Sequence, residues 1–193
     1  MAVNGVEFQP SPLQVPTLHI TTHNATGHAT LHSSEKPKAE AYPEHKFSST
    51  TLYTTSAMPP NLNDDVDLKI HQDVVASGKL GVVQPKGTVL RYADFAPNSK
   101  GFMHRTQSLD YGIVLEGTVT LDLDDGSSMT MTKGDVAIQR ATMHAWNNPS
   151  STEWARVLFV LQDCEPLVVN GKRFKEDLGH AAGSVPSSGN DGE

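Results

Sequence analysis

A chain of 193 residues has room for one ordinary domain, and its low shares of hydrophobic (37%) and charged (19%) residues indicate that part of its length is not packed. The net charge of −7 and pI near 5.7, with no offsetting cluster of lysine and arginine, argue against nucleic acid as a partner. Cys164 is the lone cysteine, so no intrachain disulfide forms. The opening MAVNGVEFQPSP lacks the features of an export signal and no apolar stretch is long enough to span a membrane, so a soluble cytoplasmic protein without a membrane partner is expected.

Residues 1–80 are rich in Pro, Thr, Ser and His. They read as an N-terminal arm with short strands, at Leu18-His19-Ile20 and from Thr50 to Thr55, packing on a body. His19, His23, His28 and His32 have i, i+4 spacing, which invites a metal reading. The intervening Asn24-Ala25-Thr26-Gly27 and the threonines oppose a helix, so these histidines are read as exposed polar residues.

Residues 81–165 change character and are assigned to a barrel core. GTVLRYADF (87–95) is β-rich, and a second strand runs from Tyr111 to Leu115. Val119, Leu121 and Leu123 alternate with polar residues up to the turn Asp124-Asp125-Gly126, after which Met129 and Met131 resume the pattern, which predicts a hairpin. Val136 to Ile138 and Met143 to Asn147 follow, and the apolar run ARVLFVL (155–161) has the character of a central strand. Short strands spaced by turns predict an all-β sandwich or barrel. Residues 166–180 read as a short helix or an extension, and 181–193, AAGSVPSSGNDGE, as a disordered C-terminal tail.

Two segments carry chemistry. His104, Thr106, Ser108 and Asp110 share one parity, hence one face if extended; His144, Trp146 and Asn148 share another, with Arg140 and Thr142 ahead of them. Arg105 and Arg140 flank these positions, and a planar guanidinium suits a carboxylate, enolate or phenolate. Trp146, Tyr111, Met103 and Phe102 are candidates for an aromatic or apolar wall, with Thr106 as a hydrogen-bond partner.

These two segments resemble the paired motifs of the cupin superfamily. His104 matches the first histidine of the first motif, Asp110 its glutamate and Gly117 its glycine, with the six-residue spacing kept. Gly134, Gln139, Ala141, His144 and Asn148 match the second motif. Thr106 stands where the second histidine belongs, and Gln139-Arg140 replaces the proline turn. The resemblance covers about residues 85 to 162 and implies a single cupin barrel, a double-stranded β-helix of the jelly-roll kind.

The segments MHRTQSLDYGIVLEG and GDVAIQRATMHAWNN are similar to small single-domain cupins of fungal secondary-metabolite gene clusters. That similarity implies an enzyme acting on a polyketide-like or aromatic intermediate. In one reading His104, Asp110 and His144 hold a divalent metal, iron(II) ahead of manganese, nickel or zinc, in a metal-dependent oxidoreductase. In another they act without metal as acid and base beside Arg140, in a lyase or isomerase of the dehydratase or decarboxylase kind. In a third the barrel is a non-catalytic ligand binder. A small-molecule substrate, no nucleotide cofactor and room for a homodimer complete the expectations.

Overall fold

The computed structural model describes residues 11–192, together with the backbone of two short paired strands, β1 (Ala2–Val3) and β2 (Val6–Glu7). What was expected of the remaining terminal residues lies outside the described ones. Next in the chain is a hairpin of β3 (Leu18–His23) and β4 (Ala29–Glu35). Its turn is closed by Asn24 Oδ1, which accepts from the amides of Thr26 and His28. His19, His23, His28 and His32 are all exposed on this hairpin.

The body consists of β5 (Glu40–Tyr42), β6 (Phe47–Thr55), β7 (Thr88–Phe95), β8 (Ser108–Glu116), β9 (Thr118–Leu123), β10 (Ser128–Thr132), β11 (Val136–Arg140), β12 (His144–Asn147) and β13 (Ala155–Asp163). A six-stranded sheet, ordered β11-β8-β13-β7-β6-β5, faces a three-stranded sheet, ordered β10-β9-β12. All their ladders are antiparallel. The architecture is the all-β jelly-roll barrel expected of the sequence.

Alternation builds the core. In β9, Val119 and Leu121 point inward and are buried, and the neighbouring threonines are only partly covered. Val89, Val157, Phe159 and Leu161 of the larger sheet meet Val119, Leu121, Met131 and Trp146 of the smaller one in a single cluster. Each large side chain so buried contributes roughly 1.5–3 kcal/mol. ARVLFVL forms β13, hydrogen-bonded to β7 on one side and β8 on the other. The β9–β10 turn falls at Asp124-Asp125-Gly126-Ser127, where Leu123 N–H donates to Ser127 O at 2.9 Å.

Four findings differ from the sequence reading. The barrel begins before residue 81, because β6 pairs with β7 over its whole length and β5 extends that sheet. A helix, α1 (Val66–Ala76), precedes β7; Leu68 is its lone buried residue, so it shows almost no apolar stripe to recognise. Residues 166–180 form a hairpin, β14 (Leu167–Val169) and β15 (Lys172–Phe174), around Asn170-Gly171, and then a 3-10 turn, Gly179–Ala181, in place of a helix. Both turn residues have positive φ, the conformation that Asn-Gly supports.

The fourth concerns the tail. Residues 181–192 are packed, not disordered: Ala181, Val185 and Ser188 are buried. Ser188 Oγ accepts from Val83 N–H at 3.0 Å, and Asn190 Nδ2 donates to Gln107 O at 2.9 Å. Side-chain hydrogen bonds to backbone secure this segment where apolar burial is scarce. Among the described residues no helix is long and apolar enough to cross a membrane.

Candidate active site

A cavity of about 110 Å³ opens between the sheets. His104, His144, Asp110, Arg91, Gln139 and Trp146 line it, with Phe47, Phe102 and Phe159 among the aromatic residues around them.

His144 opens β12, and His104 lies in the segment that leads into β8. His104 and His144 form an isolated antiparallel bridge, each amide donating to the other's carbonyl at 2.9 Å. Their ring centroids lie 4.3 Å apart. His104 Nδ1 donates to Phe102 O at 3.0 Å and His144 Nδ1 to Thr142 O at 2.9 Å. A carbonyl can only accept, so Nδ1 carries the proton and Nε2 keeps its lone pair in both neutral rings. Burial lowers both pKa values, that of His144 to about 3 with His104 as a second cause. Both rings are therefore uncharged bases at neutral pH.

Asp110 lies on β8 opposite Gln139 of β11 and Leu161 of β13. Its side chain is buried and Oδ1 has no hydrogen-bond partner. Burial raises its pKa to about 7, against the opposing pull of Ser108, Arg91 and Thr106. An acid with that value is near half-protonated at neutral pH and can give or take a proton.

Gln139 is held by Trp146, whose Nε1–H donates to Gln139 Oε1 at 3.3 Å. Indole is a donor only, which assigns the amide orientation and leaves Gln139 Nε2 buried without a partner. Trp146 packs edge-on to Phe159 at 5.4 Å and lies over Gly112, where a Cβ would sit 2.9 Å from Trp146 Cζ2. A glycine at position 112 is what lets the indole come this close to β8.

Of the residues singled out from sequence, the fold brings His104, Asp110, His144, Trp146 and Phe102 to one cavity. Thr106 is buried beside it, sharing a hydrogen bond with Ser108 Oγ at 2.7 Å. Four others fall outside. Arg140 is exposed at the end of β11, because Ala137 and Gln139 take the inward parity. Arg105 stacks over Phe174 at 4.8 Å and donates to Lys175 O at 2.9 Å. Met103 and Tyr111 are exposed, on the parity opposite to His104 and Asp110.

Sequence reasoning missed Arg91 and Gln139. Arg91 shares parity with Val89, Ala93 and Phe95 of β7, so a charged residue on an apolar inner face was the available signal.

Two imidazoles stand side by side with Nε2 free, but among the described residues no group of three His, Cys, Asp or Glu could hold a metal ion. As placed here, His104, Asp110 and His144 are not gathered into one three-ligand group.

No family model matches the chain. It is 34% identical over 182 residues to "Phomopsin biosynthesis cluster protein D" of Diaporthe leptostromiformis, covering 92% of this chain and 94% of that one. It is 38% identical over 171 residues to "Cupin-domain-containing oxidoreductase virC" of Hypocrea virens, covering 86% of each. "Oryzines biosynthesis cluster protein J" of Aspergillus oryzae is 39% identical over 127 residues, which cover 66% of this chain and 70% of that one. Among solved structures, the polyketide cyclase RemF of Streptomyces resistomycificus aligns at TM-score 0.45 and 20% identity, over 72% of this chain and 78% of that one.

Proposed function

Because the chain belongs to the family of cupin-domain proteins found in fungal biosynthesis clusters, we propose that it is an enzyme of secondary metabolism acting on a small aromatic or polyketide-like intermediate. One observation carries the chemical reading: two neutral imidazoles with free Nε2 and a buried acid of pKa about 7 line the same aromatic cavity.

The reaction this set performs is proton transfer beside a carbonyl. Nε2 of His144 or His104 takes the proton from the carbon next to the carbonyl, forming an enolate. Protonated Asp110 gives its proton to a hydroxyl on the adjacent carbon, the C–O bond breaks, and water leaves. A carbon–carbon double bond results, and the proton on histidine returns to Asp110 for the next turnover. The balance closes as a dehydration and needs no oxidant. The apolar wall raises the strength of each electrostatic contact by keeping solvent out.

A second reading, a divalent-metal oxidoreductase with iron(II) favoured, draws on one specific observation. Both Nδ1 atoms are tied to carbonyls, the arrangement that orients imidazoles whose Nε2 bind a metal. Among the described residues the two imidazoles form no group of three with another His, Cys, Asp or Glu, so solvent, substrate or another oxygen donor would complete the site in this reading.

The test begins by deleting the gene in its host and identifying the accumulated compound by mass spectrometry. That compound, supplied to the purified protein, should lose water, and the His144→Ala and Asp110→Asn proteins should fail to convert it. An unchanged metabolite profile, or full turnover by both variants, overturns the reading. Iron, manganese, nickel or zinc near one per chain by elemental analysis, with turnover lost on chelation, selects the second reading instead.

A further inference from the structure

Arg91 is the charged residue of the cavity that this chemistry leaves unused. It projects from the inner face of β7, between the cavity and a neighbouring groove lined by Glu40, Tyr42 and Gly81. Among the described residues its guanidinium donates from Nη2 to Gly81 O at 2.8 Å, and its buried Nε has no partner. Among the described residues the ion pairs are Lys133–Glu116 and Arg156–Asp94, so no carboxylate lies within 4.0 Å of Arg91. Glu40, Tyr42 and Asp110 face it from further away.

Arg91 is half-buried with its Nε shut off from water; a guanidinium so placed and left without an ion-pair partner is costly, and a planar oxyanion relieves that cost. A second observation points the same way. Gln139 Nε2 is also an unpartnered donor, in a side chain 3% exposed that lines the same cavity. Two residues that line the cavity, Arg91 and Gln139, thus each carry a buried N–H that no described residue satisfies, against walls of Trp146, Phe159 and Phe102.

We infer that Arg91 is the binding anchor for a carboxylate group on the substrate, whose ring lies against this aromatic wall. The inference rests on the reading of the cavity as a substrate site and narrows the substrate class to a ring-bearing organic acid. Arg91 fixes the position of the acid head, and thereby which carbon is presented to the histidines.

The probes are benzoate and benzamide, which share a shape and differ in charge and sit within a cavity of this size. Titrated into the full-length protein by calorimetry or NMR, benzoate should bind about tenfold or more tightly than benzamide. Arg91→Gln should weaken benzoate about ten- to a hundredfold and leave benzamide within about twofold, whereas Arg91→Lys retains part of the preference. Equal binding of the two probes by the unmodified protein overturns the inference, as does no benzoate saturation by about 10 mM or an unchanged ratio in folded Arg91→Gln. The comparison on unmodified protein stands even where Arg91→Gln fails to fold. His144→Gln separates this from the reaction: it should lose turnover and keep the benzoate preference, so either assignment can fail alone.

Discussion

His104 and His144 face each other as a hydrogen-bonded backbone pair, and this pairing sets their imidazoles 4.3 Å apart at the cavity. The bridge is made by main-chain atoms at 2.9 Å, so it does not depend on either ring. Substitution of His144 by alanine should therefore preserve the strand closure while removing one base. Turnover is expected to fall by about 10²- to 10⁴-fold, with a near-unchanged far-ultraviolet circular dichroism spectrum. A loss of the folded spectrum alongside the activity would assign the ring a structural role instead.

The same cavity predicts how stability responds to pH. Asp110 titrates at about 7 in the folded chain against an ordinary 3.8, so between those values the folded state keeps a proton that the unfolded state has released. Its contribution to stability therefore declines as pH rises through that window, and is flat above it. His144 does the reverse. Its pKa is about 3 when folded against an ordinary 6.5, so acidification through that window protonates only the unfolded chain and lowers stability. From about pH 4 to 6.5 the two slopes oppose each other, each roughly 1 kcal/mol per pH unit, with His104 adding to the histidine side.

Asp110→Asn removes one slope and leaves the other. The variant's urea stability should rise steadily from pH 4 to 6.5, more steeply than that of the unmodified chain. At pH 8 it should exceed the unmodified protein by about 2–4 kcal/mol, and near pH 4 the two should converge. Parallel stability curves for the two proteins across this range would show that Asp110 is not held protonated by its surroundings.

The parts of the fold written as alternation were legible in the sequence. Val119 and Leu121 of β9 disclosed the hairpin, and the shared parity of His104 with Asp110 and of His144 with Trp146 placed four side chains in one cavity. Arg91 was hidden because β7 is buried on both faces: Val89 and Ala93 point to the interior, and Tyr92 and Asp94 are covered on the outer side. With both parities apolar or buried, period two does not reveal which face is the site. The tail escaped for another reason. Ser188 and Asn190 are anchored by individual hydrogen bonds, which leave no compositional trace. Arg140 misled because the resemblance located its strand without fixing which neighbour, Gln139 or Arg140, turned inward.

Gly112 supplies a test of the cavity wall. A side chain there meets the Trp146 ring at 2.9 Å and Phe159 at 3.3 Å. Gly112→Val should push the indole off β8 and break its bond to Gln139, at a cost of about 1–3 kcal/mol in stability. Near-ultraviolet circular dichroism should lose tryptophan intensity, and turnover should fall although no polar residue has changed. Retention of both would mean that the ring can relocate without disturbing the site.

On the outer face of the sheet Arg156 and Asp94 form a bidentate pair with side chains 6% and 4% exposed. Arg156 also lies over the Tyr92 ring at 4.4 Å and donates from Nη1 to Gln14 O at 2.6 Å, so it fastens the N-terminal segment to β7 and β13. Asp94→Ala leaves a buried guanidinium without its counter-charge and should cost about 3–5 kcal/mol. Arg156→Met paired with Asp94→Leu removes both charges and should cost less, because no uncompensated ion remains. The double variant should nonetheless release residues 11–16, since the bond to Gln14 is gone, and hydrogen exchange over that segment should quicken while β9 stays protected. An Asp94→Ala protein as stable as its parent would mean that the pair is reached by water and screened, and the segment would then owe its place to packing rather than to Arg156.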